Sequence, residues 1–101
     1  MKRTVVRYKA KPEQAEENAR LIEEVFQELR TNAPEGVRYL ALKLADATFV
    51  HFSTVETEDG VSPIPKLEAF RPFQSGINDR CVEPPQSSDA IIVGNYRMLA
   101  E

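Results

Sequence analysis

The sequence predicts a single α+β domain in which one antiparallel sheet of four strands carries two helices on one face. Three observations predict this fold. Strand-like and helix-like segments follow one another in the order β-α-β-β-α-β. Apolar residues make up 42% of the chain, which suffices for one small core, and a length of 101 residues supports one domain rather than two. We therefore treat residues 1–101 as one folding unit.

The first strand and the first helix are predicted from residue type and period. The run 4–10 (TVVRYKA) is β-branched and aromatic, and it stops before Pro12. Pro12 suits the first helical position, because its missing N–H would have no partner there. From Ala15 to Leu29 apolar residues recur every three or four positions, as on one face of a helix, and the charged residues between them form a solvated face. The turn 32–36 (NAPEG) ends this helix.

The second half of the chain is predicted to supply three strands and a broken helix. Segments 37–44 and 48–55 are apolar strands joined by a tight link. Segment 67–81 has a helical apolar period with Pro72 inside it, which predicts a kinked helix or two short segments joined there. The stretch EPPQSS that follows is predicted to be a loop, and 90–98 (AIIVGNYRM) the last strand.

Both faces of the predicted sheet are apolar. A sheet with one wet face alternates apolar and polar residues, yet segments 39–42 and 91–93 are apolar at consecutive positions. No further segment of the sequence could form a third layer. We therefore expect a second copy of the chain to cover the exposed face, in a homodimer formed through the sheet faces.

Composition and charge exclude several classes of protein. A net charge of −3 argues against a nucleic-acid-binding surface. No apolar run approaches the ~18–20 residues of a membrane span, and the N-terminus lacks the apolar core of a signal peptide. Cys81 is the only cysteine, which excludes an internal disulfide and favours a cytoplasmic protein. One histidine and one cysteine do not make a metal-ligand set, and no phosphate-binding loop is present, so we expect no metal and no cofactor.

His51 is the only histidine and the only side chain that titrates near neutral pH without help, which makes it the candidate general base. The alternative is a core or interface histidine whose ring nitrogens are satisfied by hydrogen bonds. Tyr8, Tyr39 and Tyr96 are candidate hydrogen-bond donors to a substrate oxygen, with core packing as the alternative for each.

The second helical segment offers further candidates. Phe70 and Phe73 lie near the proline and could form one wall of a binding pocket, or belong to the core. Asn78 and Arg80 close the segment, where they could bind an anionic or carbonyl group or serve as a helix cap.

The order of elements is the ferredoxin-like arrangement, and the residues allow a closer comparison. Segments 67–70 (LEAF), 73–77 (FQSGI), 80–85 (RCVEPP) and 93–97 (VGNYR) resemble those of the dimeric α/β-barrel superfamily and, within it, the antibiotic biosynthesis monooxygenase-like domains. The resemblance implies a homodimer whose two sheets form a shared barrel, with one pocket in each subunit between the sheet and the helices. The superfamily also contains isomerases, haem-degrading enzymes and proteins without a known reaction, so the fold does not by itself fix the activity.

The oxygenases of this family oxidise phenols, quinols or anthrone-like rings with molecular oxygen and without metal or flavin. Such chemistry needs one base, one or two hydrogen-bond donors and a dry pocket lined by aromatic residues. The resemblance therefore implies a cofactor-independent monooxygenase acting on a small aromatic or quinol-like molecule, with His51 as the catalytic base. Two alternatives stay open: a non-catalytic dimer that binds a small molecule or another protein, and a cofactor-free isomerase. The predicted substrate-binding residues are Tyr8, Phe70, Phe73, Asn78 and Tyr96.

Overall fold

The computed structural model of the chain describes residues 1–99, and it confirms the predicted order of elements. Two single 3₁₀ turns, Pro12–Gln14 and Ile64–Lys66, precede the helices. The strands are β1 (Lys2–Ala10), β2 (Val37–Lys43), β3 (Thr48–Val55) and β4 (Cys81–Asp89), and the helices are α1 (Ala15–Asn32), α2 (Phe70–Ser75) and α3 (Ile77–Arg80).

The four strands form one antiparallel sheet in the order β2-β3-β1-β4, with the helices on one side, as the predicted ferredoxin-like α+β fold requires. Strands β1 and β3 are central, and His51 in the middle of β3 lies opposite Val6 on β1 and Ala41 on β2. Because side chains alternate along a strand, residues on β3 divide between two faces. We call the face toward the helices, which includes Phe49 and His51, the helix-side face, and the other, which includes Phe52 and Thr54, the open face.

Helix α1 packs on the helix-side face through a stripe of buried residues. Leu21, Ile22 and Val25 are buried there, while the charged residues between them face solvent, as the helical period predicts. Each such aliphatic side chain contributes about 1.5–3 kcal/mol when fully buried. The helix ends at Ala33, which adopts a left-handed conformation (φ 44°) and donates its N–H to the carbonyl of Leu29.

The predicted position of the last strand was wrong. β4 comprises Cys81–Asp89, which includes the proline-rich stretch predicted to be a loop, and 90–98 is not a strand. Two conditions allow prolines in this strand: β4 is an edge strand, and Pro84 and Pro85 lie where its pairing with β1 is irregular. At such positions the missing N–H removes no ladder hydrogen bond.

Residues 90–99, which we call the C-terminal segment, run irregularly across the open face. Ile92 and Leu99 are half-buried and line shallow clefts on this face together with Arg38 and Thr54. The expectation that the chain holds nothing to cover this face was therefore wrong, because the run predicted as a strand is free to cross it. The cover is partial: Ile91, Val93, Tyr96 and Met98 of the segment remain exposed.

The second helical region is divided in two, as predicted, but at Gly76 rather than at Pro72. Pro72 is the third residue of α2, where its N–H would have no acceptor within the helix, so the helix tolerates it. At Gly76 a Cβ atom would lie 3.0 Å from Nη1 of Arg80. The glycine thus leaves space for the Arg80 guanidinium to pass close to the backbone.

Candidate active site

A cavity of about 380 Å³ lies between the helix-side face and the second helical region. Its lining is mostly apolar and aromatic, with a few polar groups, as is usual in sites that bind small molecules. The aromatic lining residues are Tyr8, Tyr39, His51, Phe70 and Phe73, and the polar ones include Thr4, Ser53, Ser62 and Gln74.

His51 lies between two tyrosines in this cavity. Its Nε2 is 2.8 Å from the hydroxyl oxygen of Tyr8, and its Nδ1 is 2.5 Å from that of Tyr39. The sheet register explains the arrangement, since Tyr8 and Tyr39 are two residues along from the positions directly opposite His51 on the neighbouring strands. Diagonal neighbours on one face of a sheet lie within reach of aromatic side chains. The ring of Phe73 covers His51 from the helices, with 5.7 Å between ring centroids.

Burial keeps the His51 ring and the hydroxyls of Tyr8 and Tyr39 neutral at pH 7. Burial lowers the pKa of His51 to about 4, because the apolar cavity disfavours the imidazolium. Burial also raises the pKa of the Tyr8 and Tyr39 hydroxyls above their usual range. His51 therefore carries one ring hydrogen, and one of its nitrogens is an acceptor.

Two buried polar residues extend this arrangement into the helices. Nδ2 of Asn18 donates to the Tyr8 hydroxyl at 2.8 Å, and Nε of Arg80 donates to Oδ1 of Asn18 at 3.0 Å. Arg80 also donates through Nη2 to the carbonyl of Phe73 at 2.6 Å, and it makes no ion pair with a carboxylate of residues 1–99. Since a buried guanidinium without a counter-ion is costly, this is an unusual polar feature for so small a core. We call Arg80, Asn18, Tyr8, His51 and Tyr39 the polar chain.

Several solved structures share the fold over nearly the whole length of the chain. A protein provisionally named an antibiotic biosynthesis monooxygenase, from Nitrosomonas europaea, has a TM-score of 0.72 at 15% identity and covers 91% of this chain and 89% of its own. Another with the same provisional name, from Bacteriodes thetaiotaomicron VPI-5482, has a TM-score of 0.72 at 16% identity over 98% and 95%. A protein of unknown function from Nitrosomonas europaea has a TM-score of 0.70 at 21% identity over 98% and 96%. No protein-family model matches the sequence, and neither does any curated protein.

The chain has the fold of the antibiotic biosynthesis monooxygenase-like domains. The resemblance carried by the sequence segments is thus confirmed for the fold. Because a fold of this kind hosts many functions, activity has to be argued from the cavity and the polar chain.

The structure brings four of the six predicted site residues together. His51, Tyr8, Phe70 and Phe73 all line the cavity. Asn78 and Tyr96 lie outside it: Asn78 is exposed on α3, and Tyr96 is 76% exposed in the C-terminal segment. Tyr96 was assigned to a strand that does not form, so no regular structure directs its ring toward the sheet.

Asn18 is the site residue that sequence reasoning missed, although the sequence holds a signal for it. Asn18 is three residues after Ala15 and four before Ile22, so it occupies the apolar stripe of α1. A polar residue on such a stripe is buried and needs partners, which here are Tyr8 and Arg80. The sequence predicts Arg80 to bind an anionic or carbonyl group or to cap the helix, whereas its side chain is buried and bonds to Asn18 and the carbonyl of Phe73.

Two further findings concern residues 1–99. They contain no cluster of histidine, cysteine, aspartate and glutamate side chains that could hold a metal ion. Among their helices, none combines the length and apolar character needed to cross a membrane.

Proposed function

We propose that the chain is a cofactor-independent monooxygenase that oxidises a small aromatic or quinol-like molecule in the cavity beside His51. The observation that carries this proposal is a single neutral imidazole held between two tyrosine hydroxyls inside an aromatic cavity. The fold, shared with antibiotic biosynthesis monooxygenase-like proteins, supports it.

The proposed reaction uses the electrons of the substrate itself. A ring hydroxyl or an acidic ring CH loses its proton, and the resulting anion gives one electron to molecular oxygen. The superoxide and the ring radical then combine into a carbon–oxygen bond, and the peroxide anion takes back the proton that the substrate lost. The hydroperoxide then loses water, which carries away the hydrogen of that ring carbon and leaves a carbonyl group. One oxygen atom of O₂ thus enters the product and the other leaves as water, with all electrons supplied by the substrate. A substrate that fills this apolar and aromatic cavity displaces water from it, which protects the intermediates.

His51 would receive the substrate proton through a tyrosine. Both ring nitrogens already have a tyrosine hydroxyl as partner, so a proton reaches the acceptor nitrogen as one hydroxyl takes it up and passes its own hydrogen on. The pKa of about 4 makes His51 a weak base that is always in its accepting form at pH 7. We therefore expect turnover to depend on His51 and on its two tyrosines.

Oxygen consumption tests this proposal. The pure, metal-stripped protein is supplied with hydroquinones, naphthols and anthrones, and we expect saturable oxygen uptake with at least one ring class. Replacing the base, His51→Gln, should lower kcat by about 10²-fold or more. Asn78→Ala, an exposed change outside the cavity, is the control and should leave the rate unchanged. Uptake at the buffer rate across the panel, or equal rates for His51→Gln and wild type, would contradict the proposal.

The two alternatives give different results in the same assays. A non-catalytic binding dimer is favoured by one observation, namely that both nitrogens of His51 are already satisfied. It would show thermal shifts with aromatic ligands and no oxygen uptake. An isomerase would convert its substrate at the same rate in anaerobic buffer.

We also propose that the chain forms a homodimer through its open face. Leu40 and Leu42 on β2 are 43% and 48% exposed there, and the C-terminal segment adds further exposed apolar side chains. Light scattering should report twice the 11.4 kDa chain mass at micromolar concentration. Leu42→Lys should yield monomers, whereas Val61→Lys, a change at a similarly exposed (51%) apolar residue of a loop, should not. An 11.4 kDa wild-type species would contradict the dimer.

A further inference from the structure

We infer that Arg80 and Asn18 fix the direction of the hydrogen bonds through His51, so that Tyr8 donates to Nε2 and the Tyr39 hydroxyl keeps its hydrogen for a ligand. This hydrogen-bond direction is inferred for the free protein, with no ligand bound. Only its consequence for catalysis rests on the proposed function.

The direction starts at Arg80, which has donors and no acceptor. Its Nε lies 3.0 Å from Oδ1 of Asn18, so the oxygen of the Asn18 amide must face the guanidinium. A flipped amide would place NH₂ against N–H. The amide nitrogen of Asn18 therefore faces Tyr8, and it donates to the tyrosine oxygen at 2.8 Å.

At Tyr8 the direction passes to His51. The Tyr8 oxygen accepts from Asn18, and the only other hydrogen-bonding neighbour it has among residues 1–99 is Nε2 of His51. If Nε2 carried the ring hydrogen, the oxygen would accept twice, and the hydrogen of Tyr8, which is only 1% exposed, would have no acceptor among residues 1–99. Buried polar groups without partners are rare and costly. Tyr8 therefore donates, and Nε2 is the acceptor.

The direction ends at Tyr39. Because neutral His51 accepts at Nε2, its hydrogen is on Nδ1, and Nδ1 donates to the Tyr39 oxygen. The hydrogen of the Tyr39 hydroxyl then has no acceptor among residues 1–99, and Tyr39 lines the cavity. The ligand that suits this cavity thus presents an acceptor oxygen, a carbonyl or a ring oxyanion, to Tyr39.

The two tyrosines consequently take different parts in the proposed reaction. Tyr8 and Nε2 of His51 together can take up a proton. Tyr39 donates a hydrogen bond to the substrate oxygen on which negative charge develops. Asn18 and Arg80 act through Tyr8 and are positioning residues.

Nitrogen NMR of the free protein tests the direction without any turnover. His51 is the only histidine in the chain, so after removal of any affinity tag a ¹⁵N long-range spectrum reports its tautomer directly. At pH 7 we expect hydrogen on Nδ1 and a bare Nε2 in the wild type. Hydrogen on Nε2, or on both nitrogens, would overturn the inference even if oxygen uptake is observed.

Asn18→Asp tests the role of the amide. The aspartate keeps the shape and pairs with Arg80, but it accepts where asparagine donates. Tyr8 should then donate to the carboxylate, Nε2–H to Tyr8 and Tyr39 to Nδ1, so the tautomer should reverse. Tyr39→Phe is the matched control, because it removes one tyrosine hydroxyl without touching Asn18, and it should keep hydrogen on Nδ1. An unchanged tautomer in folded Asn18→Asp overturns the inference.

If Asn18→Asp does not fold, Arg80→Met serves instead. It frees the Asn18 amide to turn, and we expect signals from both tautomers. A pure Nδ1–H signal in that variant would show that Arg80 does not set the direction.

Discussion

On the helix-side face of the sheet, buried polar groups find partners within the chain, whereas on the open face some do not. His51 is bonded at both nitrogens, by Tyr8 and Tyr39. On the open face, Oγ1 of Thr54 and Nε of Arg3 are buried without a partner among residues 1–99. The helix-side face is thus completed by one chain, while the open face, with its exposed leucines, lacks part of its cover. This difference places the candidate site within one chain and supports the proposal of a homodimer through the opposite face.

The largest expected contrast between the faces is in core packing. Phe49→Ala on the helix-side face, where the ring is 1% exposed and stacked on Tyr8, should lower the free energy of unfolding by about 3–5 kcal/mol. Leu42→Ala on the open face should cost less than about 1 kcal/mol in dilute monomer, since Leu42 is 48% exposed. Urea unfolding at low protein concentration measures both. Equal losses of unfolding free energy in the two variants would contradict this difference between the faces. A loss for Leu42→Ala that grows with protein concentration would indicate a dimer that buries the open face.

The next effect concerns pH, and it arises only on the helix-side face. The pKa of His51 is lowered from 6.5 to about 4 on folding, so between these values the unfolded chain binds a proton that the folded chain does not. Stability is therefore complete above pH 6.5 and falls as the pH drops toward 4, by roughly 3 kcal/mol in total. Urea unfolding at pH 7 and pH 4 should show this loss in the wild type beyond the loss in His51→Gln. Equal losses in both would show that His51 is not buried in its neutral form.

The two tyrosines beside His51 should differ in their contribution to stability. Tyr8→Phe leaves two groups without partners, Nδ2 of the fully buried Asn18 and Nε2 of His51, which costs about 2–3 kcal/mol. Tyr39→Phe leaves only Nδ1 of His51 unpaired, beside a cavity that water can enter, and should cost about 1 kcal/mol or less. Thermal unfolding of the pair measures the difference. A larger loss of stability for Tyr39→Phe would show that water reaches the Tyr39 end of the polar chain less easily than the Tyr8 end.

Sequence pattern predicted most of the helix-side face and less of the open one. The apolar period of α1 and the apolar and aromatic runs of β1 to β3 depend on local residue type, so they could be predicted directly. The strand β4 could not, because Pro84 and Pro85 argue for a loop unless the strand is known to be at the edge. His51 is a candidate from its chemistry alone, but the hydrogen bond of its partner Tyr8 with Asn18 depends on how α1 packs over β1, which no local pattern contains.

The smallest expected effect is on the open face, at Thr54. Thr54→Val replaces a hydroxyl that has no partner among residues 1–99 by a methyl group of the same shape, so stability should stay unchanged or rise by up to about 1 kcal/mol. Thr54→Ala is the matched control: it also removes the hydroxyl but loses the methyl contact, and it should lower stability. Urea unfolding of the two variants at low and high protein concentration decides the point. If Thr54→Val is as unstable as Thr54→Ala only at high concentration, assembly moves the residues that bury this hydroxyl and gives it a partner, and the open face is completed by a second chain. If the loss is the same at both concentrations, the hydroxyl is already bonded within one chain, and the contrast between the two faces fails at this residue.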